Sequence, residues 1–334
     1  IERAAVDARD RFGAESPLLL HVLTTRTSQM INSGQTADAA ASARETAALA
    51  RRIEGPDAPL TLTATLNEVV ALSSLGRRDE ARRALTGLPE RLTRVLGADH
   101  GETLLSIRLQ ARLAAYDGDF AEALEALDRV AGTVPEKIRD DLNFLRANTY
   151  MAVGRFPDAI KILRDMQGAK GYEGFAAYNL GMAQIRNGQE ADGLQSLARA
   201  GQIGTGDPGA LAIKDKANLA LGSRLLENKK EDQAKVYLER VRLKGAFSNR
   251  ALLASGWADA NQEHYERALV PWSLLAKRNV TDKAVQEAML AVPYAYGKLN
   301  IHGKAALAYG GALEAFGAEL KKLAASTESI KEGK

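Results

Sequence analysis

Apolar residues along this chain recur at helical spacing, and glycine interrupts the pattern at regular intervals. Three segments align: Gly13-Ala14-Glu15-Ser16-Pro17, Gly55-Pro56-Asp57-Ala58-Pro59 and Gly97-Ala98-Asp99-His100-Gly101. Their leading glycines are 42 residues apart, and Gly34, Gly76 and Gly118 between them keep the same interval. Each glycine of the second set precedes a polar pair and an alanine-rich helical pattern, as in Gly118-Asp119-Phe120-Ala121-Glu122-Ala123. Repetition at this period predicts a unit of helix, tight turn at Gly, second helix, then a Gly/Pro/Asp turn into the next unit. Gly supplies the positive φ that ends a helix, while Pro and Asp favour the restart.

From residue 137 the spacing tightens. The equivalent turn positions become Gly154, Gly188, Lys229, Glu263 and Asn300, at intervals of 36, 34, 41, 34 and 37. A small residue falls five positions after each turn, at Ala159, Gly193, Ala234, Ala268 and Ala305. A large one follows a helical turn later, at Leu163, Leu197, Leu238, Trp272 and Tyr309. Those offsets place one small and one large side chain on the same helix face, so two antiparallel helices can approach closely. Pro293 is expected to interrupt a first helix. Residues 1–12 read as the second helix of a hairpin whose first helix is missing, which suggests an effector or anchor before Ile1.

These residues are similar to a known family. The run Tyr178-Asn179-Leu180-Gly181, then Gly188, Leu197 and Ala200, resembles a tetratricopeptide repeat (TPR), and the resemblance extends over essentially the whole chain. The 42-residue repeats resemble the kinesin-light-chain type, as in Thr63-Ala64-Thr65-Leu66-Asn67-Glu68, Gly76 and Leu96-Gly97-Ala98-Asp99-His100. Arg26 and Glu68 depart from it, standing where apolar residues are usual. The resemblance implies an all-α, right-handed α-solenoid of about eight helical hairpins with a terminal capping helix. The expected organisation is a 42-residue-repeat array over 1–136, a shorter-repeat array over 137–312, and a capping helix with a frayed tail over 313–334. The tail is polar after its first turns, as the outer face of an end unit should be.

Charge also divides the chain. Residues 1–136 hold 16 arginines, no lysine and a net charge of −4; residues 137–334 hold 12 arginines, 17 lysines and a net charge of +7. The divide coincides with the change in repeat length, so a junction between two repeat types, with a weak joint, is expected near residues 131–137. Overall net charge is only +3, too little to imply a nucleic-acid partner. The longest uncharged apolar stretch, Ala288 to Gly297, has ten residues, about half of what a membrane-spanning helix needs. Alanine and arginine richness fits a bacterial source, with cytoplasm and periplasm both open.

Candidate chemistry is sparse. With no cysteine and four histidines, no metal site, cofactor site or catalytic constellation can be placed. His264 and His302 are expected to pack between helices. Gly204-Thr205-Gly206-Asp207-Pro208-Gly209 matches a dinucleotide-binding fingerprint, but no strand pattern precedes it, so it reads as a turn. The expectation is a non-enzymatic scaffold that holds a protein or peptide segment in a concave groove. The alternative is a sensor or regulatory domain of a larger bacterial signalling or envelope-assembly protein. The ends of the array offer a route to a homo-oligomer.

Groove candidates are Asn67, Phe144, Asn148, Met151, Tyr178, Asn179, Met182, Arg186, Lys216 and Trp257. Asn is a mediocre helix former, yet its amide can donate to and accept from the backbone of an extended peptide. Aromatic, Met and Arg side chains are enriched at protein interfaces. In repeats that clamp a terminal carboxylate, paired asparagines and a lysine act together. The resemblance carries this to Asn148, Asn179 and Lys216, although Phe144 and Ala220 stand where further basic residues would be needed.

Overall fold

A computed structural model describes residues 13, 15–130, 134–203 and 206–331. The described residues form seventeen helices and no strand. They fall into two compact units that part at Ile162/Leu163. The first unit holds α1 (Pro17–Asn32), α2 (Thr36–Ile53), α3 (Pro59–Ser74), α4 (Arg78–Leu85), α5 (Leu88–Leu96), α6 (Gly101–Tyr116), α7 (Phe120–Asp128) and α8 (Glu136–Ala152). The division lies inside α9 (Phe156–Asp165). The second unit continues with α10 (Glu173–Arg186), α11 (Glu190–Ala200), α12 (Pro208–Glu227), α13 (Glu231–Leu238), α14 (Ser248–Ala260), α15 (Tyr265–Leu275), α16 (Lys283–Lys298) and α17 (His302–Lys331). Each unit is a stack of helical hairpins, eight in all.

All eight turn residues read from the sequence are left-handed. Gly34, Gly76, Gly118, Gly154 and Gly188 have φ of 78, 73, 83, 77 and 78°, and Lys229, Glu263 and Asn300 have 55, 63 and 60°. Those three are the positive-φ non-glycine residues among the described ones. In every hairpin the next N–H reaches the carbonyl five residues back, from Gln35 to Met30 (3.0 Å) through to Ile301 to Tyr296 (2.9 Å). This is the Schellman closure, which satisfies carbonyls a helix end leaves open. Restarts are also built locally: the side chains of Asp119, Asp207 and Asp282 accept from the backbone N–H of Glu122, Ala210 and Ala284. The 42-residue repeats carry their own clasp, with Thr61 and Thr103 hydroxyls donating to the Gly55 and Gly97 carbonyls at 2.8 Å.

Hairpins close on the small and large positions. Ala159, Ala234, Ala268 and Ala305 are buried, as are Leu163, Leu197, Leu238 and Trp272. The opposing first helix is small seven residues before each of three turns, at Gly181, Gly222 and Gly256. A Cβ there would lie 2.8 Å from Leu197, 2.6 Å from Leu238 and 2.1 Å from Trp272 Nε1, respectively. Trp272 lies flat on this glycine and donates its indole N–H to the Leu253 carbonyl at 3.1 Å.

Several expectations change. Pro293 does not interrupt its helix; it lies buried inside α16, at the register of Gly181, Gly222 and Gly256, where it removes one ladder hydrogen bond and the helix runs on past it. Tyr309 is 48% exposed, because no first helix among the described residues follows α17 to cover it. His264 and His302 are exposed, since each stands at the start of a second helix just past the left-handed turn. The helix expected from about residue 311 is the latter half of α17, continuous through Gly310 and Gly311. Its outer face carries exposed Leu313, Leu320, Leu323 and Ile330. The second helix after Gly76 is broken at Thr86–Gly87, where Gly87 has φ of 68°, before Pro89 restarts α5. Residues 1–12, 131–133, Gly204 and Thr205 lie outside the described residues, and with them the half-hairpin at the start and part of the junction. Beside that junction α8 packs on α6 and α7, with Ile107, Ala111, Ala126, Leu127 and Leu142 in one apolar cluster and Arg108 paired to Asp141.

Polar clasps join successive hairpins. Glu68, in its apolar register, accepts from Arg44 at 2.9 Å. Within one hairpin, buried Asp215 on α12 accepts from the backbone N–H of Arg242, just past α13, at 3.2 Å and from its guanidinium at 2.8 Å. Buried Asp259 takes Lys235 at 2.6 and 2.8 Å. Glu190 takes Arg224 at 2.7 and 3.1 Å, and Asp282 takes Asn249 at 2.8 Å.

Two predictions concern one hairpin. Gly256→Ala should lower stability by about 1–3 kcal/mol, the cost of overpacking a filled core, whereas Glu263→Gly should raise it by up to about 1 kcal/mol by relieving a left-handed non-glycine. Urea unfolding followed by circular dichroism reads both. A third concerns pH. The Asn249 amide, and then the Ala284 and Val285 N–H groups and Arg278, hold the Asp282 carboxyl below its ordinary value against the opposing effect of burial. Its stabilisation is therefore complete above the unfolded aspartate pKa of about 3.9 and is lost as pH falls through the lower folded value. Asn249→Ala should lower stability at pH 7 and flatten this acid limb, seen as a smaller difference between urea midpoints at neutral and low pH.

Candidate functional site

First helices of successive hairpins pack side by side within each unit: α1 on α3, α3 on α6 and α6 on α8, then α10 on α12, α12 on α14 and α14 on α16. A second helix packs against its own first helix and the next one, and no two second helices of neighbouring hairpins pack together among the described residues. Each unit therefore presents a continuous face of first helices.

On the second unit this face gathers cations around one ring. Tyr178, on α10, is 9% exposed, and the Lys216 ammonium from α12 stands 4.8 Å from its ring centroid. Burial pushes the Tyr178 hydroxyl above its ordinary pKa, while the charges of Arg186 and Arg250 pull it down. Side chains from α10, α12 and α14 thus converge. Arg186, Lys216 and Arg250 are exposed, and none has a carboxylate partner among the described residues. Asn179 and Met182 lie half-buried beside them on α10.

Arg250 was not singled out by the sequence. Its signal was register: it precedes Glu263 by thirteen residues, as Lys216 precedes Lys229. The same register holds Glu287 before Asn300, and Glu287 accepts the Trp257 indole N–H at 2.7 Å. Trp257 also meets Trp272 edge-on at 4.9 Å and Tyr294 at 6.4 Å. It belongs to an aromatic cluster joining α14, α15 and α16, to which Tyr265 adds a 6.1 Å contact with Tyr294.

The other candidates lie on the first unit. Phe144, Asn148 and Met151 are half-buried on α8. Asn148 precedes its turn residue by six positions and Asn179 by nine, so the two amides do not share a register. Asn67 does share that of Asn179, and its amide donates to the Ser28 hydroxyl at 3.1 Å, bridging α3 to α1.

An apolar recess of about 400 Å³ opens on the second-helix side of the second unit, between α13, α14 and α15. Leu238, Val241, Leu243, Val270 and Leu274 line it. Among the described residues no three His, Asp or Glu side chains are grouped to hold a metal ion, and no helix is long and apolar enough to cross a membrane.

A scan against protein-family models finds no match, and a search of curated proteins finds none. Solved structures do match. The apo form of RapI aligns with a TM-score of 0.61 at 12% identity, over 94% of this chain and 93% of its own. A tetratricopeptide repeat protein from Parabacteroides merdae aligns with a TM-score of 0.51 at 14% identity, over 82% of this chain and 98% of its own. The apo form of the quorum sensor NprR from B. thuringiensis aligns with a TM-score of 0.51 at 10% identity, over 89% and 98%. At such identities the likeness is one of fold. Taken with the eight hairpins and their left-handed turns, it gives this chain a helical-repeat fold of the tetratricopeptide-repeat type.

Proposed function

We propose that the first-helix face of the second unit is a non-enzymatic docking surface for an extended, acidic segment of a partner protein. The observation that supports this most directly is the contrast in charge pairing. Arg224 and Lys235, which join hairpins, are each matched by a carboxylate. Arg186, Lys216 and Arg250, on the first-helix face, are not. Unmatched cations attract an acidic chain and fix its register more than they raise raw affinity. The Tyr178 ring supplies a flat apolar surface beside these cations.

The test is fluorescence polarisation with labelled extended peptides of equal length that are acidic, neutral or basic. The acidic peptide should bind best, with an affinity that falls as salt rises. Arg186→Ala with Arg250→Ala should weaken it by roughly tenfold at low salt, the order expected for losing two solvent-exposed ion pairs. Both side chains are exposed, so the unfolding transition should stay in place. Equal binding of the three peptides, or acidic binding indifferent to the double variant, would sink the reading.

A further inference from the structure

The last helix carries an apolar surface that the hairpin stack does not consume. α17 has 30 residues and α16, its hairpin partner, has 16. Ala305, Ala308, Ala312 and Glu319 are buried or half-buried, marking the side turned towards the stack, with Phe316 half-buried beside them, and every residue from Leu320 to Lys331 except Ser329 is exposed. Along this helix Tyr309, Leu313, Phe316, Leu320, Leu323, Thr327 and Ile330 succeed one another by alternating steps of four and three. That is the seam of a coiled coil, in which a repeat of 3.5 residues keeps one stripe facing a partner helix. Leu313, Leu320, Leu323 and Ile330 are 74, 66, 57 and 76% exposed.

The flanks are as informative as the seam. Residues beside it are small at Gly310, Ala312, Gly317, Ala324 and Ser326, which permits a close interhelical approach. Charges lie off the seam, and two pairs are neutralised within the helix itself, Lys322 with Glu319 at 3.3 Å and Lys331 with Glu328 at 3.0 Å. No charge on the seam opposes burial.

We infer that this seam pairs antiparallel with the same seam of a second copy of the chain, about a two-fold axis passing between Lys321 and Lys322. The stripe is self-complementary about that point. Leu320 meets Leu323 of the second copy, Leu313 meets Ile330, and Phe316 meets Thr327, each contact occurring twice as an isologous interface requires. A parallel pair would instead bring both copies of α16 and its neighbours to the same end of the helices, where they would compete for space. Covering the exposed parts of Leu313, Leu320, Leu323 and Ile330 on both copies removes on the order of 1,000 Å² from water, about where a specific interface begins. The dimer is therefore concentration-dependent, with dissociation in the micromolar range. This inference is independent of the proposed peptide face, which lies on other helices.

Analytical ultracentrifugation of the full chain at rising concentration tests it. The mass should climb from 35.9 kDa towards twice that value by about 200 µM, well above a micromolar dissociation constant. Leu320→Glu with Leu323→Glu should keep the chain monomeric, raising the dissociation constant by roughly a hundredfold or more, with an unchanged helical signal and melting curve at dilute concentration. The chain has no cysteine, so disulfide trapping reads orientation cleanly. A mixture of Leu320→Cys and Leu323→Cys chains should cross-link as the mixed pair. A monomer across the whole range, a dimer that survives the double glutamate variant, or trapping only between like chains would each overturn the inference.

Discussion

The structure depends on how closely two antiparallel helices approach inside each hairpin. A large side chain on the second helix lies against a small position on the first: Leu197 on Gly181, Leu238 on Gly222, Trp272 on Gly256. Interiors are packed like organic crystals, so such contacts tolerate little change in volume. Their geometry also sets the offset of one helix from the other, and with it the face each presents to the next hairpin. Pro293 at the same register shows that the requirement is for a close, compact residue rather than for glycine alone.

Stacking then divides the charges by location. Positions between hairpins are half-buried, and a charge there must be paired to offset its desolvation. Lys235 with Asp259, across α13 and α14, meets that demand with a buried carboxylate. Glu68 meets it in the first unit, where a polar residue in an apolar register is answered by Arg44. The exposed first-helix face is under no such demand. Cations such as Arg186 and Arg250 can stay unmatched there because water solvates them, and unmatched charge is what a partner can use. α17 follows the same logic for apolar groups, because past α16 no helix among the described residues covers its seam.

Repetition made most of the fold legible in the sequence. A left-handed turn residue is a local requirement, and the period carried the assignment even to Lys229, Glu263 and Asn300, which have no glycine to announce them. The small and large offsets followed from helical geometry, so the buried Ala and Leu positions could be numbered in advance. Tyr309 failed because burial needs a neighbour, and the histidines failed because a residue one or two steps past a turn can face solvent.

What the sequence by itself determined was therefore local: the hairpins, their turns and the positions at which their helices touch. Only the tertiary structure decided which polar side chains were already committed. Asn67 bonds to Ser28 and Trp257 to Glu287, across helices 39 and 30 residues apart in sequence, and no local pattern records such distant partners. The structure likewise brought Arg250 beside Tyr178 and left the α17 seam uncovered. Exposure and pairing are properties of neighbours in space, and a one-dimensional periodicity specifies spacing along a helix without specifying what stands opposite it.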